Sequence, residues 1–199
     1  MQPLFAHNLL YVAALASGLI VWRIMESVVE YLSYKRLHNG ARRQDRGSVL
    51  VILLSIVPGA FLGVVLAIKV PEAAIPFPRV FLFWLGIALI YAGIAFRLYA
   101  IHTLGSYFTT RVATTAGQAV IESGPYRFIR HPSYAGMLII LLGFALTCAN
   151  WLSLLVIMGC ALIGLGYRIA VEERVLQQQL GQQYQDYMRR TKRLIPFVV

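Results

Sequence analysis

The chain has 199 residues, 59% of them hydrophobic and only 13% charged, with a mean hydropathy of +0.69. A soluble domain is about half apolar and about a quarter charged, so this composition excludes an ordinary soluble globule, and it is too apolar for intrinsic disorder. The net charge of +10 does not require nucleic acid, because membrane proteins collect Lys and Arg in cytoplasmic loops, where anionic headgroups attract them.

The first predicted span runs from about Leu9 to Tyr34. Its second half carries Arg23, Glu26 and Glu30 at spacings of three and four, hence on one helix face. That face is expected to point into a bundle or emerge into water. Ala14-Leu15-Ala16 resembles a signal-peptide cleavage site, but no basic region precedes it and the apolar core before it is short. The second span is Ser48 to Val70, with Pro58 inside it and a Gly59-x-x-x-Gly63 motif that lets another helix approach closely. The Pro-rich turn Pro71 to Pro78 follows, then a third span from about Arg79 to Ile101 with Gly86 and Gly93 on one face.

A polar interval from His102 to His131 comes next, and loops of this length are often functional. The apolar stretch Tyr134 to Cys148 is short for a span. Asn150 marks a turn, and Trp151 to Tyr167 completes a helical hairpin. The last helix continues to Leu180 through Arg168, Glu172, Glu173 and Gln177-Gln178-Gln179. At ~1.5 Å per residue it is about 45 Å long, against a hydrocarbon core of ~30 Å. Its final third is therefore expected outside the apolar core, with Arg168 near the boundary. Cys148 and Cys160 lie in apolar stretches and read as small buried hydrophobes.

Lys and Arg are dense in 35–47, sparse in the turn around Glu72, present in 102–133, absent at 149–150 and dense again after Arg168. That alternation predicts about five spans, with the N-terminus outside and the long loop and C-terminal tail both cytoplasmic. The expected fold is all-α: one integral membrane domain over 1–199, with three N-terminal spans in 1–101. A loop, a helical hairpin and a C-terminal helix make up 102–199.

Two polar groups then face one compartment. One is Gly124-Pro125-Tyr126-Arg127-Phe128-Ile129-Arg130-His131-Pro132-Ser133-Tyr134; the other is Arg168, Glu172 and Glu173. Arg168 and Glu172 are four apart and lie one above the other on a helix. Taken singly, these residues also fit an interfacial salt bridge, headgroup anchoring by Arg127 and Arg130, and a helix start at His131-Pro132.

Together the motifs are more specific. Gly-x-Tyr, then Arg-His-Pro-x-Tyr, then Arg168-x-x-x-Glu172-Glu173 about forty residues later, resemble the isoprenylcysteine carboxyl methyltransferase family, which has phospholipid methyltransferase-like relatives. Leu176, Gly181-x-x-Tyr184-x-x-Tyr187 and Arg193-x-x-Pro196 resemble its C-terminal signature. The resemblance covers roughly residues 100 to 197. It implies a membrane-embedded methyltransferase that binds S-adenosyl-L-methionine, and releases S-adenosyl-L-homocysteine, under a cytosolic cap. Carried over by position, Tyr126, His131, Pro132, Ser133, Tyr134 and Glu172 would contact the cofactor. Gln118-Ala119-Val120-Ile121 stands where the family has a His-x-Leu-Val-like segment, with Gln in place of His. Arg168 would face the reacting group of the substrate.

The residue chemistry agrees with that implication. A carboxylate acceptor is already nucleophilic, an Arg holds it bidentately, and a Glu suits hydroxyls or an ammonium. No Gly-x-Gly-x-x-Gly segment offers a soluble-type nucleotide site, and His7, His38, His102 and His131 are too scattered for a metal. The expected reaction is methyl transfer to the carboxylate of a lipophilic, prenylcysteine-like acceptor, with membrane lipids as neighbours and no nucleic acid. The alternatives are methylation of a lipid amine, NADPH-dependent reduction as in membrane sterol reductases, and a non-enzymatic lipid-binding protein.

Overall fold

Five apolar runs, each ended by Pro, Gly, Asn or a basic cluster, form the helices of a computed structural model that describes residues 3–37, 42–43, 47–108, 113–114 and 120–195. The helices are α1 (Leu9–Leu37), α2 (Ser48–Lys69), α3 (Arg79–Leu104), α4 (Pro132–Thr147) and α5 (Trp151–Leu180), followed by a short polar α6 (Gln182–Arg190). Two-residue strands β1 (Arg42–Arg43) and β2 (Ala113–Thr114) pair antiparallel and tie the two long loops together. Among the described residues, α1, α2, α3 and α5 are long and apolar enough to cross a bilayer. The 16 residues of α4 reach only about 24 Å at ~1.5 Å each.

Small residues decide which helices meet. A Cβ on Gly59 would stand 2.6 Å from Cys160 Cβ, and one on Gly63 would stand 2.6 Å from the Ile157 side chain. The Gly59-x-x-x-Gly63 motif is thus the seam between α2 and α5 of one chain. On the other side, a Cβ on Gly86 would fall 2.5 Å from the Gly143 carbonyl, and one on Gly93 2.7 Å from Ile140. The α3 glycines therefore seat α4. One hydrophobic cluster centred on Phe83, Ile90 and Ile140 joins α1, α3 and α4. A second, centred on Leu141, Ile157 and Leu165, joins α4 and α5 and reaches Ala67 of α2.

The hairpin turn between α4 and α5 is pinned by Asn150. Its side chain accepts from Ser153 N (3.1 Å), capping α5, and donates to the Val70 carbonyl (2.9 Å). Ser153 Oγ donates to the Gly63 carbonyl at 2.6 Å. The turn after α2 and the turn before α5 consequently share one end of the bundle. The ends of α1, α3 and α5 and the starts of α2 and α4 lie at the other, where Arg168 of α5 donates to Ser48 Oγ.

The charges of α1 separate. Arg23 and Glu30 pair at 3.4 Å on the outside, whereas Glu26 turns inward. Its carboxylate accepts from Arg97 Nε (2.7 Å) and Nη2 (3.0 Å), and from Trp22 Nε1 (3.2 Å). A buried Arg inside an apolar helix needs such a partner, and this pair fastens α1 to α3.

Candidate active site

The chain after α3 folds back on its own C-terminal tail. Gly124, with φ +55°, opens a 3-10 turn over Gly124–Arg127 that buries Pro125 and Tyr126. Tyr187 of α6 donates its hydroxyl to the Tyr126 carbonyl at 2.7 Å. Burial pushes both phenols above their ordinary values, with the Glu172 carboxylate adding to it at Tyr126. Both stay protonated at physiological pH, so Tyr187 remains a donor.

The backbone next runs beside the tail. Arg130 N donates to the Lys192 carbonyl (2.7 Å), His131 N to the Arg193 carbonyl (3.0 Å), and Lys192 N to the Phe128 carbonyl (3.3 Å). The side chains lock the same junction. Buried Glu173 accepts from Arg130 Nε (2.9 Å) and His131 Nε2 (3.3 Å) on one oxygen, and from Arg193 (3.0 Å) on the other. Arg130 also donates to the carbonyls of Met188 and Thr191. Three cationic or imidazole donors from distant segments thus converge on one carboxylate.

Tyr134, in the first turn of α4, stands at the centre. Its hydroxyl donates to Glu172 Oε2 at 2.7 Å and accepts from Arg168 Nε at 3.0 Å. Arg168 and Glu172, neighbours on one helix face, are therefore bridged by a hydroxyl from another helix. The ring of Tyr134 stacks on His131, with centroids 5.6 Å apart. Pro132 is the first residue of α4, where its missing N–H costs nothing. Ser133 is buried and accepts from Arg97 Nη1 at both Oγ (2.6 Å) and its carbonyl (3.0 Å).

The structure thus gathers Tyr126, His131, Pro132, Ser133, Tyr134, Arg168 and Glu172 at one end of the bundle. Val120 and Ile121 lie in the approach to the 3-10 turn and are half-buried. Gln118, Ala119 and Arg111 lie outside the described residues. Two contributors are not evident from motif reading. Arg97, one helix earlier, carries the backbone and hydroxyl of Ser133; the signal for it is a lone Arg inside an apolar span, matched by Glu26 in another. The second is the 188–193 strap, whose carbonyls hold Arg130.

The donor set fits a charged, hydroxyl-rich cofactor. Glu172 is half-exposed, and a carboxylate has about four lone-pair sites, of which Tyr134 takes one. Among the described residues, no three His, Cys, Asp or Glu side chains cluster as a metal site requires.

The comparisons with known proteins cover most of these site residues. The model of the isoprenylcysteine carboxyl methyltransferase family matches residues 84–178. A probable protein-S-isoprenylcysteine O-methyltransferase of Oryza sativa subsp. indica is 30% identical over 131 residues, 63% of this chain and 69% of that protein. The chain belongs to the isoprenylcysteine carboxyl methyltransferase family. Protein-S-isoprenylcysteine O-methyltransferase B of Arabidopsis thaliana is 32% identical over 115 residues, 57% of this chain and 58% of that protein. The solved structure of the eukaryotic intramembrane Ras methyltransferase of this family superposes with a TM-score of 0.56 at 25% identity. That match covers 78% of this chain and 54% of the other. This family member is an integral membrane protein, and it spans little more than half the length of those two relatives.

Proposed function

We propose that the protein transfers a methyl group from S-adenosyl-L-methionine to the carboxylate of a lipophilic, prenylcysteine-like acceptor. The observation that carries this reading is the Ser48–Arg168–Tyr134–Glu172 chain of hydrogen bonds at the end of the α5 apolar run. Arg168 lies about 26 Å along α5 at ~1.5 Å per residue, near the far edge of a ~30 Å hydrocarbon core. It therefore sits where the polar end of a lipid and a cytosolic cofactor meet. Membership of the methyltransferase family supports the same reading.

When bound, the cofactor supplies a methyl already activated on a sulfonium, so a carboxylate acceptor needs no general base. The task of the protein is then to hold two partners in line, and well-oriented reactants are worth about 7–11 kcal/mol of barrier. Glu172 would hold the cofactor's ammonium or hydroxyls, with His131 and Tyr126 walling the pocket. Arg168, its guanidinium plane set by Ser48 and Tyr134, would orient the acceptor carboxylate bidentately. The loops, the active site and the C-terminus would be cytoplasmic and the N-terminus outside, following the distribution of Lys and Arg.

The test is methyl transfer from labelled cofactor to prenylcysteine analogues, fatty acids and aminophospholipids, with wild type beside Arg168→Lys. Lys keeps the charge and the long stem but loses the planar fork. A displacement of about 1 Å can reduce rate on the order of a hundredfold. Arg168→Lys should bind cofactor normally and lose most turnover on the prenylcysteine analogue. Transfer to amines alone, or near-normal turnover by the Lys variant, refutes the proposal.

A further inference from the structure

Beside the methyl-transfer site the tail forms a polar cavity of ≈ 300 Å³, lined by Arg130 and the run 188–193. Five of its side chains are cationic: Arg130, Arg189, Arg190, Lys192 and Arg193. Three carboxylates answer them, Glu173 for Arg130 and Arg193, Asp186 for Arg189 at 3.6 Å, and Glu122 for Arg190 at 2.9 Å. Cation exceeds anion, and the surplus faces out: Arg189 and Arg190 are 75% and 61% exposed, and Lys192 is exposed.

The cavity stands at headgroup depth. Its wall at 192–193 is hydrogen-bonded to residues 128–131, immediately before the first residue of apolar α4. Glu173, which anchors Arg193, lies five residues past Arg168, about 7.5 Å further at ~1.5 Å per residue. The interfacial layer on each side of the hydrocarbon is of similar depth, roughly 5–8 Å. Exposed apolar side chains flank the basic ones. Phe128 is 55% and Ile195 54% exposed, and the Arg127 guanidinium lies over the Phe128 ring at 5.9 Å. Cations beside exposed aromatic and aliphatic groups are the pattern of a membrane-surface contact.

We propose that this cavity binds the phosphate headgroup of an anionic phospholipid, clamping the C-terminal strap to the membrane surface. A cation near an anionic surface is worth about fivefold in affinity, so losing two should weaken binding roughly twenty- to thirtyfold. Its test reads lipid binding rather than turnover, at Arg189 and Lys192, which are not among the residues assigned to the cofactor or the acceptor.

The experiment measures retention of fluorescent phosphatidylglycerol and phosphatidylcholine by the full chain in zwitterionic detergent. Wild type should retain phosphatidylglycerol saturably and phosphatidylcholine far more weakly. Arg189→Gln with Lys192→Gln should lose roughly twenty- to thirtyfold, and Lys192→Glu alone, which also shifts the charge by two, a similar factor. Lys69→Gln, exposed at the opposite end of the bundle, should retain the lipid fully. Equal retention of both lipids, or retention unchanged in both cavity variants, overturns the proposal. Displacement by inorganic phosphate at low millimolar concentration would assign the cavity to a soluble phosphate compound. Displacement by polyglutamate at matched charge would assign it to an acidic polypeptide, and either result overturns the lipid assignment.

Discussion

Tyr134→Phe isolates the hydroxyl that joins Arg168 to Glu172. The ring stays, and with it the stacking on His131 and the packing of the first turn of α4. What is lost is a donor 2.7 Å from Glu172 Oε2 and an acceptor 3.0 Å from Arg168 Nε. Hydrogen bonds to charged groups are worth about 1.5–3 kcal/mol each. Glu172 is half-exposed and replaces its partner with water, so its share is small. Arg168 is buried and keeps Ser48, so the net loss is close to one such bond, about 1.5–3 kcal/mol. Because Tyr134 sets the distance between the residue assigned to the acceptor and the residue assigned to the cofactor, the loss should appear in kcat/KM. The expected decrease is about ten- to a hundredfold. The assay is labelled methyl transfer in detergent or vesicles, beside a thermal melt in which the variant unfolds near the wild-type temperature. Wild-type kcat/KM in a folded Phe variant would refute the role of the hydroxyl.

Three further outcomes follow from the same geometry. Glu26→Leu leaves the buried charge of Arg97 without its carboxylate, holding only Ser133, and should cost about 3–5 kcal/mol, with Arg97→Met similar, while the double variant should recover part of the loss; additive losses in a denaturation cycle would exclude the coupling. Gly86→Ala forces a Cβ to 2.5 Å from the Gly143 carbonyl, so α3 and α4 must move apart; overpacking of this kind costs about 1–3 kcal/mol, read as a lower melting temperature. Single cysteines at Glu72 and Arg190, both exposed, should label from opposite sides of the membrane, and labelling from one side would overturn the proposed topology.

The five long helices are legible in the sequence. Leu9, Ser48, Arg79 and Trp151 begin helices where the apolar runs begin, and Asn150 caps where a turn was expected. Hydrophobic runs and their breakers are local, so their effect is written residue by residue. The pairing of the motifs was legible as well, because Arg168 and Glu172 are four apart on one helix and the Arg-His-Pro run opens another. Which helix meets which is set by packing across the fold. Periodicity put Arg23, Glu26 and Glu30 together, yet only Glu26 faces inward, because Arg97, 71 residues away, is buried against it. The Gly59-x-x-x-Gly63 seam could have joined two chains, but Cys160 and Ile157 of the same chain fill it. Tyr134 between Arg168 and Glu172, and three donors on Glu173, depend on helices brought together across the fold. Spacing along one helix specifies a face, while the partner of that face is set by close packing between segments far apart in the chain.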